Sequence, residues 1–577
     1  LALAGVLLAA CAHDAPGTAA ATPGHATMLS KPVTSQTLYG NYLAGRVAGE
    51  NRETGMAAQF YAEALKQDPA NDIILDRTFL LELADGQVEQ ALKHADEIVA
   101  HDSNKRLPEL VLGLKSIKEG AYAEGRRHIA IAANGPFNSL ANRLIAAWCF
   151  EGEGRTGDAL AELKLIEQTG AFDLFRLLHT ALIEEHAGRN AEADTTYRRV
   201  IDSGGGNALR VVQAYGRFLE RQGRQADAVA LYQKFGENQP DNPLITNAEL
   251  RAKAGGKIEP LIATPQDGVA EVLYGLASAL AADRNVDLPI VYLQMALYLR
   301  PDSDVGRTLL ADLFELVERY TEANAAYADV PRSSPLALNA QIQTALNLDR
   351  LGKTDQAVAK LKALSRSKEE GLRVLISLGD LLRAHERFAE AVDAYDQAIA
   401  LAPMPPTRQY WSLFYARGVS LERAGRWPDA ERDLKTALAL DPDQPLVLNY
   451  LGYSWIEKGQ NFEEAMKMIG RAVDLLPNDG YVVDSLGWAH YRLGRYDVAL
   501  TYLERAVNLR PDDPTINDHL GDAYWRTGRP LEARFQWKRA ITLGAEKTIV
   551  PAIEHKIEFG LNEAGAADSS HLSRSTP

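Results

Sequence analysis

Few residues in this chain combine type and spacing into reactive chemistry. His94 and His101, and again His179 and His186, stand seven apart, a spacing that can set two imidazoles on one helix face. A zinc site needs further ligands. No Cys or acidic cluster accompanies either pair in a ligand pattern, so both read as surface or packing histidines. Gly204-Gly205-Gly206 lacks the Lys-Ser or Lys-Thr that follows a phosphate-binding glycine loop, and reads as a connection. Neither HExxH nor GxSxG occurs. Cys149 lies in the apolar run AAWCF, where a cysteine serves as a small core residue. The expectation is a non-enzyme, with no catalytic residue, metal site or cofactor.

What the chain offers instead is recognition chemistry near its C-terminus. Tyr415, Asn449, Tyr453, Asp484, Trp488, Arg492, Asp518, Asp522, Trp525 and Arg526, with Tyr491 among them, interleave aromatics with Arg, Asp and Asn. Such residues anchor proteins and peptides. Trp488, Tyr491 and Trp525 suit packing between neighbouring elements equally well. Asn449, Asp484 and Asp518 recur at one place in successive segments, which points to a polar ladder.

Composition narrows the partners. The 577 residues carry 62 Lys and Arg against 77 Asp and Glu, a net charge of −15. A nucleic-acid binder shows a basic patch or stripe. The pairs Arg126-Arg127 and Arg198-Arg199 are isolated among acidic neighbours, so nucleic acid is excluded as a partner. Two cysteines exclude a disulfide framework.

The elements that hold these residues come from a repeat. A small residue, or its equivalent, falls at Gly45, Phe79, Gly113, Ala147, Ala181, Gly216, Gly275, Ala311, Ala345, Gly379, Gly418, Gly452, Gly487 and Gly521. Most intervals are 34 or 35 residues, and the long one, 59, separates Gly216 from Gly275. A helix–turn–helix of that period is the tetratricopeptide (TPR) signature. The small residue lets the second helix approach the first. In the unit around Gly216, Ala228 and Tyr232 share a face of the second helix, Gly223 makes the turn and Pro240 ends the unit. Phe79, bulky where the others are small, marks the weakest unit.

One such unit cannot bury its apolar face alone, so the units stack. The fold expected is an all-α TPR helix-turn-helix solenoid, a right-handed superhelix of about fourteen repeats. Two arrays, 38–240 and 269–545, flank an irregular break or degenerate repeat at 241–268, read as a hinge or a plain insertion. Residues 546–577 read as a terminal helix and disordered tail.

The other end of the chain carries a different signal. Residues 1–10, LALAGVLLAA, read as the apolar core and cleavage zone of a secretory signal. Leu8-Ala9-Ala10-Cys11 resembles a bacterial lipobox, in which the Cys thiol is acylated; the alternative is an ordinary signal cut near Ala10. Residues 11–37, rich in Ala, Pro, Gly and Thr, read as a lipidated Cys and flexible tether. Ala12, rather than Asp, leans towards the outer membrane.

Lipobox, tether and long array together resemble the bacterial outer-membrane TPR lipoproteins. The run LNYLGYSW, VDSLGWAHYRLGRYDVAL and INDHLGDAYWRTGR is similar to the LbcA-type members. That resemblance implies a periplasm-facing adaptor that brings a carboxyl-terminal processing protease to peptidoglycan-hydrolase substrates. The alternative is a structural TPR lipoprotein of a secretion or exopolysaccharide-export complex. In either case the partners are proteins or peptides, with a membrane contact through the lipid anchor on Cys11.

Overall fold

A computed structural model describes residues 37–102, 105–132, 136–167, 170–239, 242–281, 286–366 and 371–561. The signal segment, Cys11 and its tether up to residue 36, and the tail from 562 onward lie outside the described residues. Among the described residues there are thirty α-helices and no strand. They follow one another as fourteen helix–turn–helix units, with Pro243–Ala254 and Val550–Phe559 as additional single helices. This is the all-α TPR solenoid architecture expected from the repeat.

Local chemistry starts and stops these helices. Asp513 accepts from the backbone N–H of Ile516 at 2.9 Å and Pro514 takes the first helical position, where no N–H is needed. Thr264 and Asp267 cap the helix Pro265–Leu280 reciprocally. Between paired helices the chain turns through a left-handed residue, as at Gly494 (φ +72°), a conformation that glycine adopts without strain.

In most repeats the small residue of the first helix has a specific counterpart sixteen residues on; at Gly452 it is Ile469, seventeen on, and at Gly275 it is Phe175 of an earlier helix. A Cβ at Gly216 would overlap the Tyr232 ring, one at Gly379 the Tyr395 ring and one at Gly521 the Trp537 indole. At Gly487 the same atom would stand 2.7 Å from Leu503. The large partner is buried, and its polar atom is satisfied from the first helix: Tyr232 donates to Glu220 (2.8 Å), Tyr395 to Asp380 (2.7 Å) and Trp537 to Asp522 (2.9 Å). In the unit of Phe79 the sizes are exchanged. Phe79 is buried, and the position sixteen on is Ala95, also buried. The bulky residue that makes this unit look weak is therefore matched by a small one.

Two compact units make up the chain, the first ending at Thr354 and the second starting at Asp355. The 241–268 segment lies within the first. There it forms the helix Pro243–Ala254 and a connection through Gly255 (φ +71°) and Gly256 (φ +141°).

Beyond that connection the first unit departs from simple nearest-neighbour stacking. The helix Pro265–Leu280 packs on Pro136–Gly152, more than a hundred residues earlier, and Asp287–Leu299 packs on Asp72–Ala84. Gly268 lies against the Trp148 indole, where a Cβ would have no room. Lys118 Nζ sits 3.5 Å above the Tyr298 ring. The break at 255–264 thus releases one helix pair from the array and returns it over the first helices of the N-terminal repeats. Those first helices are covered by the chain itself.

Of the histidines and cysteine singled out by the sequence, His179, His186 and Cys149 lie in or beside this packing, and His94 and His101 pair with nearby carboxylates, His101 at the surface. His179 is buried, and its Nδ1 accepts from Trp148 Nε1 at 3.0 Å. Burial pushes its pKa down to about 4, so the ring is neutral. His186 Nδ1 lies 2.8 Å from Glu151, while His94 lies near Glu82 and Glu97 and His101 near Asp72. Cys149 is fully buried, and burial pushes its thiol up to about 12, far from thiolate chemistry.

Candidate functional site

The recognition residues sit on the first helices of the second unit. These are Trp411–Arg423, Pro445–Glu457, Gly480–Arg492 and Pro514–Arg526. The last three lie side by side. Their facing side chains join each repeat to the next. Glu457 accepts from Trp488 Nε1 at 2.6 Å and from Arg492 at 2.9 Å. Asp484 pairs with His519 at 3.0 Å. Asp518 and Asp522 both receive Lys556 Nζ, at 2.9 and 3.0 Å, from the helix Val550–Phe559. The aromatic rings stack across the same face. Trp488 lies on His519 with centroids 4.0 Å apart and on Tyr491 with centroids 4.8 Å apart.

The ten residues divide by exposure. Asp484, Trp488, Asp518 and Asp522 are buried and held in these pairs. Tyr415, Asn449, Tyr453, Arg492, Trp525 and Arg526 are half-buried. Tyr415 meets Tyr450 edge-on, with centroids 5.9 Å apart. Arg526 reaches over Tyr496, and Trp525 packs beside Trp537. Asn449 Oδ1 is buried and has no donor among the described residues. Asn449, Asp484 and Asp518 sit on three successive first helices. The Asp484 carboxylate ties its repeat to the next, and the Asp518 carboxylate ties the last repeat to the terminal helix.

Two members of the network carry no signal in the repeat pattern, His519 and Lys556. Burial works against a charge on His519. The Asp484 carboxylate, with Asp518 and Asp522 behind it, outweighs burial and lifts the ring to about 8. Burial likewise opposes the charge on Lys556, and the same two carboxylates, Asp518 and Asp522, hold it raised. The arrangement is a set of buried, paired charges with aromatic walls. These groups are engaged with one another, and the arrangement offers no nucleophile with a base among the described residues.

Residues 180–243, 342–404, 415–479 and 485–545 match the sequence profile of the tetratricopeptide repeat. This is a TPR-repeat protein. Over 159 residues, 27% of its length, the TPR chain is 28% identical to the TPR repeat-containing protein PA4667 of Pseudomonas aeruginosa. The match spans 26% of that relative, about a quarter of its length. Among solved structures, the APC/C hetero-tetramer Cut9–Hcn1 has a chain similar over 90% of this one and 96% of its own, at 13% identity and a TM-score of 0.37. A tetratricopeptide repeat protein from Parabacteroides merdae is similar over 44% of this chain and 97% of its own, at 15% identity and a TM-score of 0.36. Among the described residues no group of three His, Cys, Asp or Glu side chains could hold a metal ion. No described helix is long and apolar enough to cross a membrane. A TPR solenoid is a scaffold that suits protein–protein contacts.

Proposed function

We propose that this TPR protein is a membrane-tethered adaptor of the cell envelope. Cys11 carries the lipid anchor, and residues 12–37 let the folded body stand off the outer membrane on its periplasmic side. The half-buried aromatic and arginine side chains of the second unit hold a polypeptide partner. In this reading the partner is a carboxyl-terminal processing protease, which the adaptor brings together with peptidoglycan hydrolases. Tethering two proteins on one scaffold raises their mutual concentration into the range of about a millimolar for short flexible links.

One observation supports the reading above others. The first helices of the second unit present Tyr415, Tyr453, Arg492, Trp525 and Arg526 half-buried, whereas in the first unit the first helices Asp72–Ala84, Arg106–Lys118 and Pro136–Gly152 are packed against the helices Pro265–Leu280 and Asp287–Leu299. Crosslinking pull-down from envelope extracts, read by mass spectrometry, is expected to recover a processing protease. Variants Trp525→Ala and Arg526→Ala are expected to reduce that recovery. Recovery of an outer-membrane export channel in its place would replace the protease adaptor with the structural lipoprotein. Metabolic palmitate labelling, lost in Cys11→Ala, tests the anchor separately.

A further inference from the structure

A second polar feature lies in the first unit, away from the recognition face described above. The helices Leu209–Arg221 and Pro243–Ala254, with the turn at Arg300 to Asp304, enclose a cavity of about 140 Å³. Four arginines line it, Arg210, Arg217, Arg251 and Arg300. Three of them have assigned partners. Arg210 grips Glu271 through two nitrogens, one bond of 2.9 Å from Nε, and donates to Gln213 at 2.9 Å. Arg251 grips Glu220 at 2.8 and 3.1 Å. Arg300 donates to the Leu261 carbonyl at 3.2 Å and lies 3.7 Å from Asp302.

Arg217 differs from all three. It is half-buried, and no hydrogen bond or ion pair reaches it among the described residues. Burial lowers its pKa, and the charges of Arg251, Arg210 and Arg300 lower it further. A guanidinium nevertheless stays charged at any working pH. The neighbouring Tyr232 hydroxyl donates to Glu220 and carries no charge to balance Arg217. Among the described residues Arg217 is thus the one arginine of this wall without a direct partner, although Asp302 and Asp304 also line the cavity. Uncompensated charge in a partly dry site is costly, and an oxyanion would relieve that cost.

We propose that this cavity binds a carboxylate presented by a partner polypeptide, with Arg217 as its two-pronged contact. The planar fork of guanidinium matches the two oxygens of a carboxylate. A single charge fits because only one of the four arginines is unassigned. A phosphate dianion would carry a second charge with no cation to meet it, beside Asp302 and Asp304 on the rim. The size agrees. The cavity is smaller than the roughly 300 Å³ at which small-molecule pockets begin, and it holds the end of one side chain or one chain terminus. This inference rests on the adaptor reading only in that a polypeptide supplies the carboxylate.

The test uses the purified full chain and saturation-transfer NMR with four probes. These are acetyl-Ala-Glu-Ala-amide, its Gln counterpart, acetyl-Ala-Ala-Ala with a free C-terminus, and inorganic phosphate. The Glu peptide or the free-terminus peptide is expected to bind saturably, and which of them does so identifies the source of the carboxylate. The amidated Gln peptide is expected to bind about tenfold more weakly or not at all. Arg217→Gln is expected to abolish the preference and Arg217→Lys to keep part of it, while the exposed control Arg198→Gln leaves it intact. Equal binding of the Glu and Gln peptides overturns the proposal, and so does phosphate binding in preference to either carboxylate. The peptide comparison needs no variant, so a folding defect in Arg217→Gln does not blunt it. No protease enters the assay, so its outcome is separate from that of the pull-down.

Discussion

Lys556→Met removes the one cation that two buried carboxylates share. Lys556 Nζ lies 2.9 and 3.0 Å from the two oxygens of Asp518 and 3.0 Å from Asp522. Asp518 is 7% exposed and Asp522 is 5% exposed, so water cannot replace the lysine. Breaking a buried pair by removing one partner costs about 3–5 kcal/mol, because the remaining charge stays buried. Methionine keeps the length and apolar stem of the side chain, so lost packing contributes little of this. Repeats in a solenoid unfold in part, and a single melting temperature would blur the effect. Hydrogen exchange of the amides in 514–559 reads it locally. At about 1.4 kcal/mol per decade, those amides are expected to exchange roughly 10²- to 4 × 10³-fold faster. The triple variant Asp518→Asn, Asp522→Asn, Lys556→Met removes the stranded charges as well and is expected to recover most of the protection. In the single variant the orphaned carboxylates prefer to be protonated when folded. Their penalty is therefore small at low pH and grows as pH rises through the raised pKa. An acceleration below tenfold at neutral pH, or a triple variant no better than the single one, would refute the reasoning.

Four further outcomes follow from the same structure. His519, lifted to about 8 from an unfolded value near 6.5, contributes about 2 kcal/mol that is fully present below pH 6.5 and is lost as pH rises through 8. Hydrogen exchange of 480–526 at pH 6 and pH 9 measures this, and His519→Gln should flatten the difference. Gly521→Ala gains about 1 kcal/mol of helix propensity but drives a Cβ into the Trp537 indole, at an overpacking cost of about 1–3 kcal/mol, so it should be neutral to destabilising in urea melts. Gly470→Ala, with no atom within 4 Å of its new Cβ, should stabilise by about 1 kcal/mol. Glu315, which burial pushes up to about 7, favours the folded state at low pH and disfavours it as pH rises through 7, so Glu315→Gln should make denaturant stability of the first unit less dependent on pH between 5 and 8.

The period was legible because it is set by local packing. A glycine at 216 and a tyrosine at 232 are both written in the sequence, and their contact is one helix pair deep. Phe79 looked anomalous only because the first helix was read without its counterpart, Ala95. The return of 265–299 over the N-terminal repeats was not legible. It depends on how rotation accumulates from repeat to repeat, and the contact of Gly268 with Trp148 joins positions that no repeat pattern pairs. In the second unit the aromatic and acidic residues were legible as a set, through their repeated spacing. Their pairing was not, because His519 and Lys556 each occur once and carry no periodic signature.

Charge pairing explains why the recognition residues divide as they do. Glu457, Asp484, Asp518 and Asp522 each meet a donor from the next repeat or the terminal helix. A partner that took those carboxylates for itself would have to break buried pairs at several kcal/mol each. Binding without that cost uses what the pairs leave half-exposed, the faces of Tyr415, Tyr453 and Trp525 and the guanidinium group of Arg526. The pairs also hold those groups in place before any partner arrives, which lowers the entropy lost on binding. An aromatic and arginine surface fixed in this way suits a partner segment that brings apolar side chains and carboxylates. The carboxylate site proposed at Arg217 in the first unit would favour an acidic partner in the same way, even though the chain that carries it has a net charge of −15.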